Sequence, residues 1–135
     1  MGRFGPATKC ESRLASPEGE LRFIQLRPFS RKWDQLGLDD EDLRALELMI
    51  LAKPDLGPVV RGTGGVRKAR FAGRQSGKGK SGSFRVYYID FDEFDVVLLI
   101  TIFAKSEISD MSEAGKQAVA AVVEECRALL GKGAI

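Results

Sequence analysis

The chain has no histidine. That absence removes Ser-His-Asp and Cys-His nucleophiles and any imidazole acid–base pair. It also leaves little with which to build a zinc site. The two cysteines, Cys10 and Cys126, lie near opposite ends of the sequence and form no CxxC pair, so neither a metal knuckle nor a disulfide framework is expected. Long apolar runs are missing too: none approaches the ~18 residues of a membrane span. Residues 1–20 lack the apolar stretch of a secretory leader. The expectation is a cytoplasmic protein with no membrane partner and no metal or other cofactor. Any catalysis must use carboxylates, lysine, arginine, tyrosine, serine or threonine.

Acid is missing from one segment. Between Arg61 and Arg85 there are eight basic residues and no Asp or Glu: Arg61, Arg67, Lys68, Arg70, Arg74, Lys78, Lys80 and Arg85. The net charge of the whole chain is only +2, because acids gather elsewhere, in "LDDED" (38–42) and "DFDEFD" (90–95). A charge distribution divided in this way suits an anionic partner.

What is present suffices for one domain. The 135 residues are 44% hydrophobic and 30% charged, ordinary values for a globular chain. Residues 1–20 are rich in Gly, Pro, Ser and charge, without periodicity, and read as a flexible tail. A domain is expected over 21–131, with a short C-terminal tail at 132–135. "LRFIQL" (21–26) reads as a strand, and "FSRKWDQL" (29–36) as a short helix. Residues 38–53 carry a second helix: Asp39 is a good N-cap, acids crowd the first turn, and Leu43, Leu46, Met49 and Ile50 form an apolar stripe. Pro54 stops it. The acids of that first turn read as a helix start and not as a metal site.

A Pro- and Gly-rich loop leads to three strands, at 66–71, 83–91 and 96–104. The last of these, "VVLLITIFA", is the continuous apolar run of a central strand buried on both sides or nearly so. A final helix is capped by Ser112, and its stripe through Val119, Val122, Val123, Cys126, Leu129 and Leu130 makes Cys126 a core residue. The order β-α-α-β-β-β-α predicts an α+β domain with a mainly antiparallel sheet and the helices on one face. Strand alternation puts Lys68 and Arg70 on one side, Arg85 and Tyr87 on one side, and leaves all four on the sheet face opposite the helices.

"GKGKSGSFRVYY" (77–88) resembles a nucleotide-binding P-loop at first sight. The motif G-x-x-x-x-G-K-[ST] needs a glycine five places before Gly79, where Arg74 stands; Gly73 is one position too early. A strand pattern follows Ser81 where a helix N-terminus is required. Nucleotide hydrolysis is excluded on both counts. What remains is lysine and arginine on two adjacent strands, a pattern suited to phosphate: arginine binds two oxygens at once, and lysine adds a point charge. Such a face fits a nucleic-acid backbone, with Tyr87 as a stacking ring or a half-buried sheet residue. RNA cleavage is feasible with these groups. A 2′-hydroxyl attacks the neighbouring phosphorus, cations stabilise the pentavalent dianion, and a lysine among cations serves as base.

The stretches "GTGGVRKARFA" (62–72), "GKGKSGSFRVYYI" (77–89) and "LLITIFAKSEISDMS" (98–112), preceded by "LAKPDLGPVVRGTGG" (51–65), are similar in order and spacing to the RelE/HigB-like toxins of bacterial type II toxin–antitoxin modules. The resemblance spans roughly residues 21–130. It implies the same α+β microdomain and a metal-independent, ribosome-dependent mRNA endoribonuclease that inhibits translation. It implies Lys68, Arg70 and Arg85 as catalytic residues. Arg67, Arg74, Lys78, Lys80, Tyr87 and Lys105 would bind RNA or the ribosome. The implied partners are the ribosome with its mRNA and a cognate antitoxin, a small helix-turn-helix protein through which operator DNA is bound. Three positions depart from the family: Ser106 replaces an arginine, Met111 stands near a tyrosine position, and Phe103 replaces a tyrosine. These losses weaken leaving-group protonation. The alternative implied by ParE-type relatives is a non-catalytic module that binds nucleic acid or protein without cleaving RNA.

Overall fold

The computed structural model of the protein describes residues 8–16, 19–73, 83–105, 107 and 111–135. Strands β1 (Thr8–Ser16) and β2 (Gly19–Leu26) lead into helices α1 (Arg27–Gln35) and α2 (Asp40–Ala52). Then follow β3 (Arg67–Ala72), β4 (Ser83–Phe91), a single 3-10 turn (Asp92–Phe94), β5 (Val96–Ala104) and α3 (Glu113–Gly131). The fold is α+β. Five strands lie in the order β1-β2-β5-β4-β3; β2 runs parallel to β5, and the other neighbours are antiparallel.

The element boundaries follow local chemistry. Pro28 sits in the first turn of α1, where its missing N–H costs nothing. Asp39 caps α2 through a reciprocal pair: its carboxylate accepts from Asp42 N at 2.9 Å, and its own N–H donates to the Asp42 carboxylate at 3.1 Å. Ser112 caps α3 by accepting from Gly115 N at 3.0 Å.

Two findings differ from the sequence expectations. First, residues 8–16 are not a structureless tail: they form edge strand β1, paired along β2. The segment is mostly polar, as edge strands commonly are, so it lacks the apolar alternation that marks a strand. The turn signature "SPEG" (16–19) is the signal that was available. Second, the helices lie on both faces of the sheet. On one side α1 and α2 cover Phe23, Phe71, Val86, Tyr88 and Leu99 with Phe29, Trp33, Leu46 and Ile50. On the other, α3 brings Val119, Val122, Val123 and Cys126 against Tyr87, Ile89, Leu98 and Ile100. The cause is legible in β4 and β5. Both alternate sides of these strands are apolar, so one layer of helices would leave a greasy face in water.

Cys126 is buried in the α3-side core, and burial pushes its thiol up to about 11. A bulge between the Tyr87–Thr101 and Tyr88–Leu99 pairs lets Ile100 join the α3-side core and Ile102 the opposite one. Among the described residues, no helix is long and apolar enough to cross a membrane.

Candidate functional site

The site grows out of the register between β3 and β4. Lys68 faces Tyr87, and Arg70 faces Arg85. Directly opposed residues of antiparallel strands share a face, with Cβ atoms about 4.5–5.5 Å apart. Adding β5 gives two adjacent rows on that face: Lys68–Tyr87–Thr101 and Arg70–Arg85–Phe103. The basic rows therefore lie toward the β3 edge of the sheet, on the face that α3 covers and not on a face without helices as the sequence suggested.

Lys68 and Arg85 are half-buried, and Arg70 is exposed. Among the described residues no carboxylate pairs with Arg70 or Arg85. Two like charges directly opposed on a sheet destabilise it. An arrangement that costs the fold and finds no compensating carboxylate among the described residues is what an external anion would offset.

Lys68, Ala69, Arg70 and Arg85 line one open groove of about 490 Å³, completed by Met49 of α2 and by Leu56, Gly57 and Pro58 of the loop before β3. That loop is held flush against the strand edge. Lys68 N donates to Pro58 O at 3.0 Å, and Val60 N to Val66 O at 2.7 Å. Within the turn, the hydroxyl of fully buried Thr63 donates to Val60 O at 2.6 Å and accepts from Val66 N at 3.1 Å. Gly62, Gly64 and Gly65 supply the positive φ angles that close it. The "GTGG" motif thus closes the turn that returns the loop to β3, and none of its residues lines the groove.

The remaining sequence-derived candidates are dispersed. Arg67 faces Tyr88 across the strands and donates to Gly57 O at 2.7 Å. It serves the loop, not an open RNA surface. Nearby Asp90 has a buried carboxylate oxygen without a partner among the described residues. Burial pushes its carboxyl up, Asp92 and Asp95 add to the effect, and Arg67 opposes it. Tyr87 is 2% exposed and packs edge-on to Phe103, ring centroids 5.8 Å apart. A ring so enclosed cannot stack on a base; Tyr87 is a sheet residue, and more deeply buried than the sequence suggested. Tyr88 is fully buried, and its hydroxyl donates to Pro54 O at 2.7 Å. Burial holds this phenol above its ordinary range.

Lys105 is exposed, and its backbone N–H donates to Ser83 O at 3.0 Å, two positions beyond the Arg85–Phe103 pair. It lies at the same end of the sheet as the arginines but does not line their groove. Met111 packs against the α3-side core. Arg74, Lys78, Lys80 and Ser106 lie outside the described residues.

Two features escaped sequence reasoning. One is the apolar wall of Met49, Leu56 and Pro58, whose only sequence signal is the Pro/Gly spacing that folds the loop back onto β3. The other is Lys32 of α1. Its ammonium lies 5.5 Å from the Phe103 ring centroid and pairs with Glu107. Glu107 also accepts from Ala104 N at 2.6 Å. The hydrogen bonds from Lys32 and from Ala104 N hold its carboxyl below the usual range. Among the described residues no group of three or more Cys, Asp or Glu gathers as a metal site. No family model matches the chain.

Proposed function

We propose that the protein is the toxin of a type II toxin–antitoxin pair, a ribosome-dependent endoribonuclease that inhibits translation by cutting mRNA. The observation that carries this reading is the directly opposed Arg70–Arg85 pair, which has no carboxylate partner among the described residues and shares a groove with Lys68. The resemblance of residues 62–72, 77–89 and 98–112 to RelE/HigB-like toxins supports it.

The chemistry needs no metal. The 2′-oxygen attacks the adjacent phosphorus as its proton leaves to a base. A pentavalent dianion forms, the P–O5′ bond breaks as the leaving 5′-oxygen takes a proton from water, and the products are a 2′,3′-cyclic phosphate and a 5′-hydroxyl. Guanidinium groups at Arg70 and Arg85 match the equatorial oxygens in geometry and charge. Such preorganised donors act most strongly where charge develops in the transition state. Lys68, half-buried beside them, is the base. In-line placement of the 2′-oxygen falls to the ribosome, because the groove is open and cannot fix a flexible strand alone. Lys105 extends the positive surface for the RNA backbone. The antitoxin, a small helix-turn-helix protein, covers the toxin and carries the pair to operator DNA.

A second reading is favoured by a specific observation: neither tyrosine is open to act as an acid, Tyr87 through burial and Tyr88 through its bond to Pro54. On that reading the groove binds RNA without cutting it. Purified ribosomes programmed with a defined mRNA separate the two. Cleavage by wild type that falls about 10²–10³-fold in Arg85→Ala, the usual cost of one oxyanion donor, supports the nuclease. Ribosome binding without new mRNA ends supports the binding module. No ribosome association and no growth arrest on expression without antitoxin would sink both.

A further inference from the structure

We infer that the wall of the groove formed by Met49, Leu56 and Pro58 receives a nucleobase, so that the site takes a single-stranded ribonucleotide unit and not a bare phosphate. The inference rests on the groove being an RNA site, and it adds which part of the RNA enters and what it touches.

The groove has two unlike walls. Arg70, Arg85 and Lys68 bring positive charge and hydrogen-bond donors from the α3-side face of β3 and β4, while Met49 and Leu56, which pack with the α1/α2-side core, and Pro58 bring apolar surface round the β3 edge. A ligand that satisfies both has an anionic group and a flat apolar face within one residue's reach. At about 490 Å³ the groove lies within the range of small-ligand sites, far beyond what one phosphate needs. A phosphate alone would leave the apolar wall wet. A nucleotide fills both halves.

The wall is prebuilt. Lys68 N–H to Pro58 O and Arg67 to Gly57 O fix the loop from two directions, and the Tyr88 hydroxyl holds Pro54 behind it. Met49 projects from rigid α2 as a half-buried side chain, and its thioether adapts to planar rings of different outline. A duplex keeps its bases stacked inside, so only an unpaired base can reach such a wall. Tyr87, which the sequence leaves as either a stacking ring or a half-buried sheet residue, is buried elsewhere. Base recognition falls to aliphatic and thioether surface.

The chain contains three methionines, so methyl-labelled methionine gives a sparse NMR spectrum in which Met49→Leu identifies one signal. The full chain is titrated with a 2′-O-methylated trinucleotide that it cannot cleave. The matched trinucleotide with an abasic centre, pyrophosphate and a phosphoserine peptide follow. Expected is a saturable shift of the Met49 methyl with the base-bearing RNA and about tenfold weaker binding of the abasic form, the scale of one lost base contact. Pyrophosphate should leave that methyl in place. Equal Met49 shifts with abasic RNA or pyrophosphate, no shift with any ligand, or tighter binding of the phosphopeptide overturns the inference. The outcome is independent of cleavage. A Met49 shift in a chain that never cuts mRNA defeats the nuclease and keeps the base site; cutting without the shift does the reverse.

Discussion

A Cβ placed on Gly57 would lie 2.1 Å from the Lys68 carbonyl oxygen. No side chain fits between loop and strand there, and the obstacle is backbone that cannot swing away. Gly57→Ala must therefore push the loop off the β3 edge. The bonds from Lys68 N to Pro58 O and from Arg67 to Gly57 O are then lost or stretched. A loss of about 2–3 kcal/mol is expected, from overpacking plus weakened hydrogen bonds. Urea denaturation of purified Gly57→Ala checks it. A change below ~0.5 kcal/mol would mean that the loop does not sit flush on the strand.

Arg70 and Arg85 lead to a prediction of opposite sign. Removing one of two facing cations should stabilise the fold, by a few tenths of a kcal/mol up to about 1. Arg70→Gln is the better variant, because Arg70 is exposed and loses little packing. Its gain should shrink as salt rises from 10 mM to 1 M, since screening removes the repulsion that the substitution relieves. Activity or RNA affinity should fall at the same time. Higher stability with lower function marks residues kept for a ligand at the expense of the fold. Equal midpoints for wild type and Arg70→Gln at low salt would show that the repulsion is neutralised within the chain.

β1 carries a third test. The Ser12 hydroxyl donates to the Glu47 carboxylate at 2.5 Å, joining the edge strand to α2. Glu47 is 2% exposed, and burial pushes its carboxyl up while Ser12 and Arg44 pull it down. The native state thus holds this proton more tightly than the unfolded chain. Glu47 accordingly detracts from stability as pH rises through its raised pKa, and the penalty is absent below the unfolded value. Ser12→Ala removes one of the groups that stabilise the charged form. The variant should lose about 1–3 kcal/mol at pH 7 and less at pH 4, where the carboxyl is largely protonated. Thermal melts at the two pH values decide. A loss independent of pH would mean that Glu47 is not what Ser12 serves.

Much of this architecture was legible in the residues, and the reasons for the rest are physical. α2 and α3 announced themselves because an apolar stripe, an N-cap and a stop coincide in each. The convergence of Lys68, Arg70 and Arg85 followed from period-two alternation on two neighbouring strands. The helix layering was misread because composition does not say which side of a sheet a helix will take. The all-apolar β5 already required cover on both sides. Tyr87 was misjudged for the same reason: its neighbour in the row is Lys68, but Phe103 and the α3-side core enclose it. The groove wall was invisible, since it brings Met49 of α2 against β3 through a loop whose path depends on one glycine contact.

The last prediction concerns the end of β5. Glu107 accepts from Ala104 N and pairs with Lys32, whose ammonium also lies over Phe103. Phe103 is in register with Arg85, and Lys105 bonds to Ser83 beside it. The Glu107 carboxylate therefore fixes the strand end from which Lys105 projects. Its pKa is lowered, so its contribution is present above the unfolded carboxylate range and is lost as pH falls through the folded value. Both partners are solvent-accessible, so the effect of Glu107→Ala on global stability should be small. Its effect on RNA binding should be larger, because the residues it restrains are those next to the groove. Glu107→Gln keeps an acceptor for Ala104 N but loses the charge. If backbone anchoring is what matters, Gln restores most of the binding that Ala loses. If the Lys32 pair matters, Gln and Ala behave alike, and Lys32→Met reproduces them. Binding of the 2′-O-methylated trinucleotide to the four proteins, alongside their urea midpoints, distinguishes these outcomes. A loss of binding that tracks the midpoints would reduce Glu107 to an ordinary surface contact.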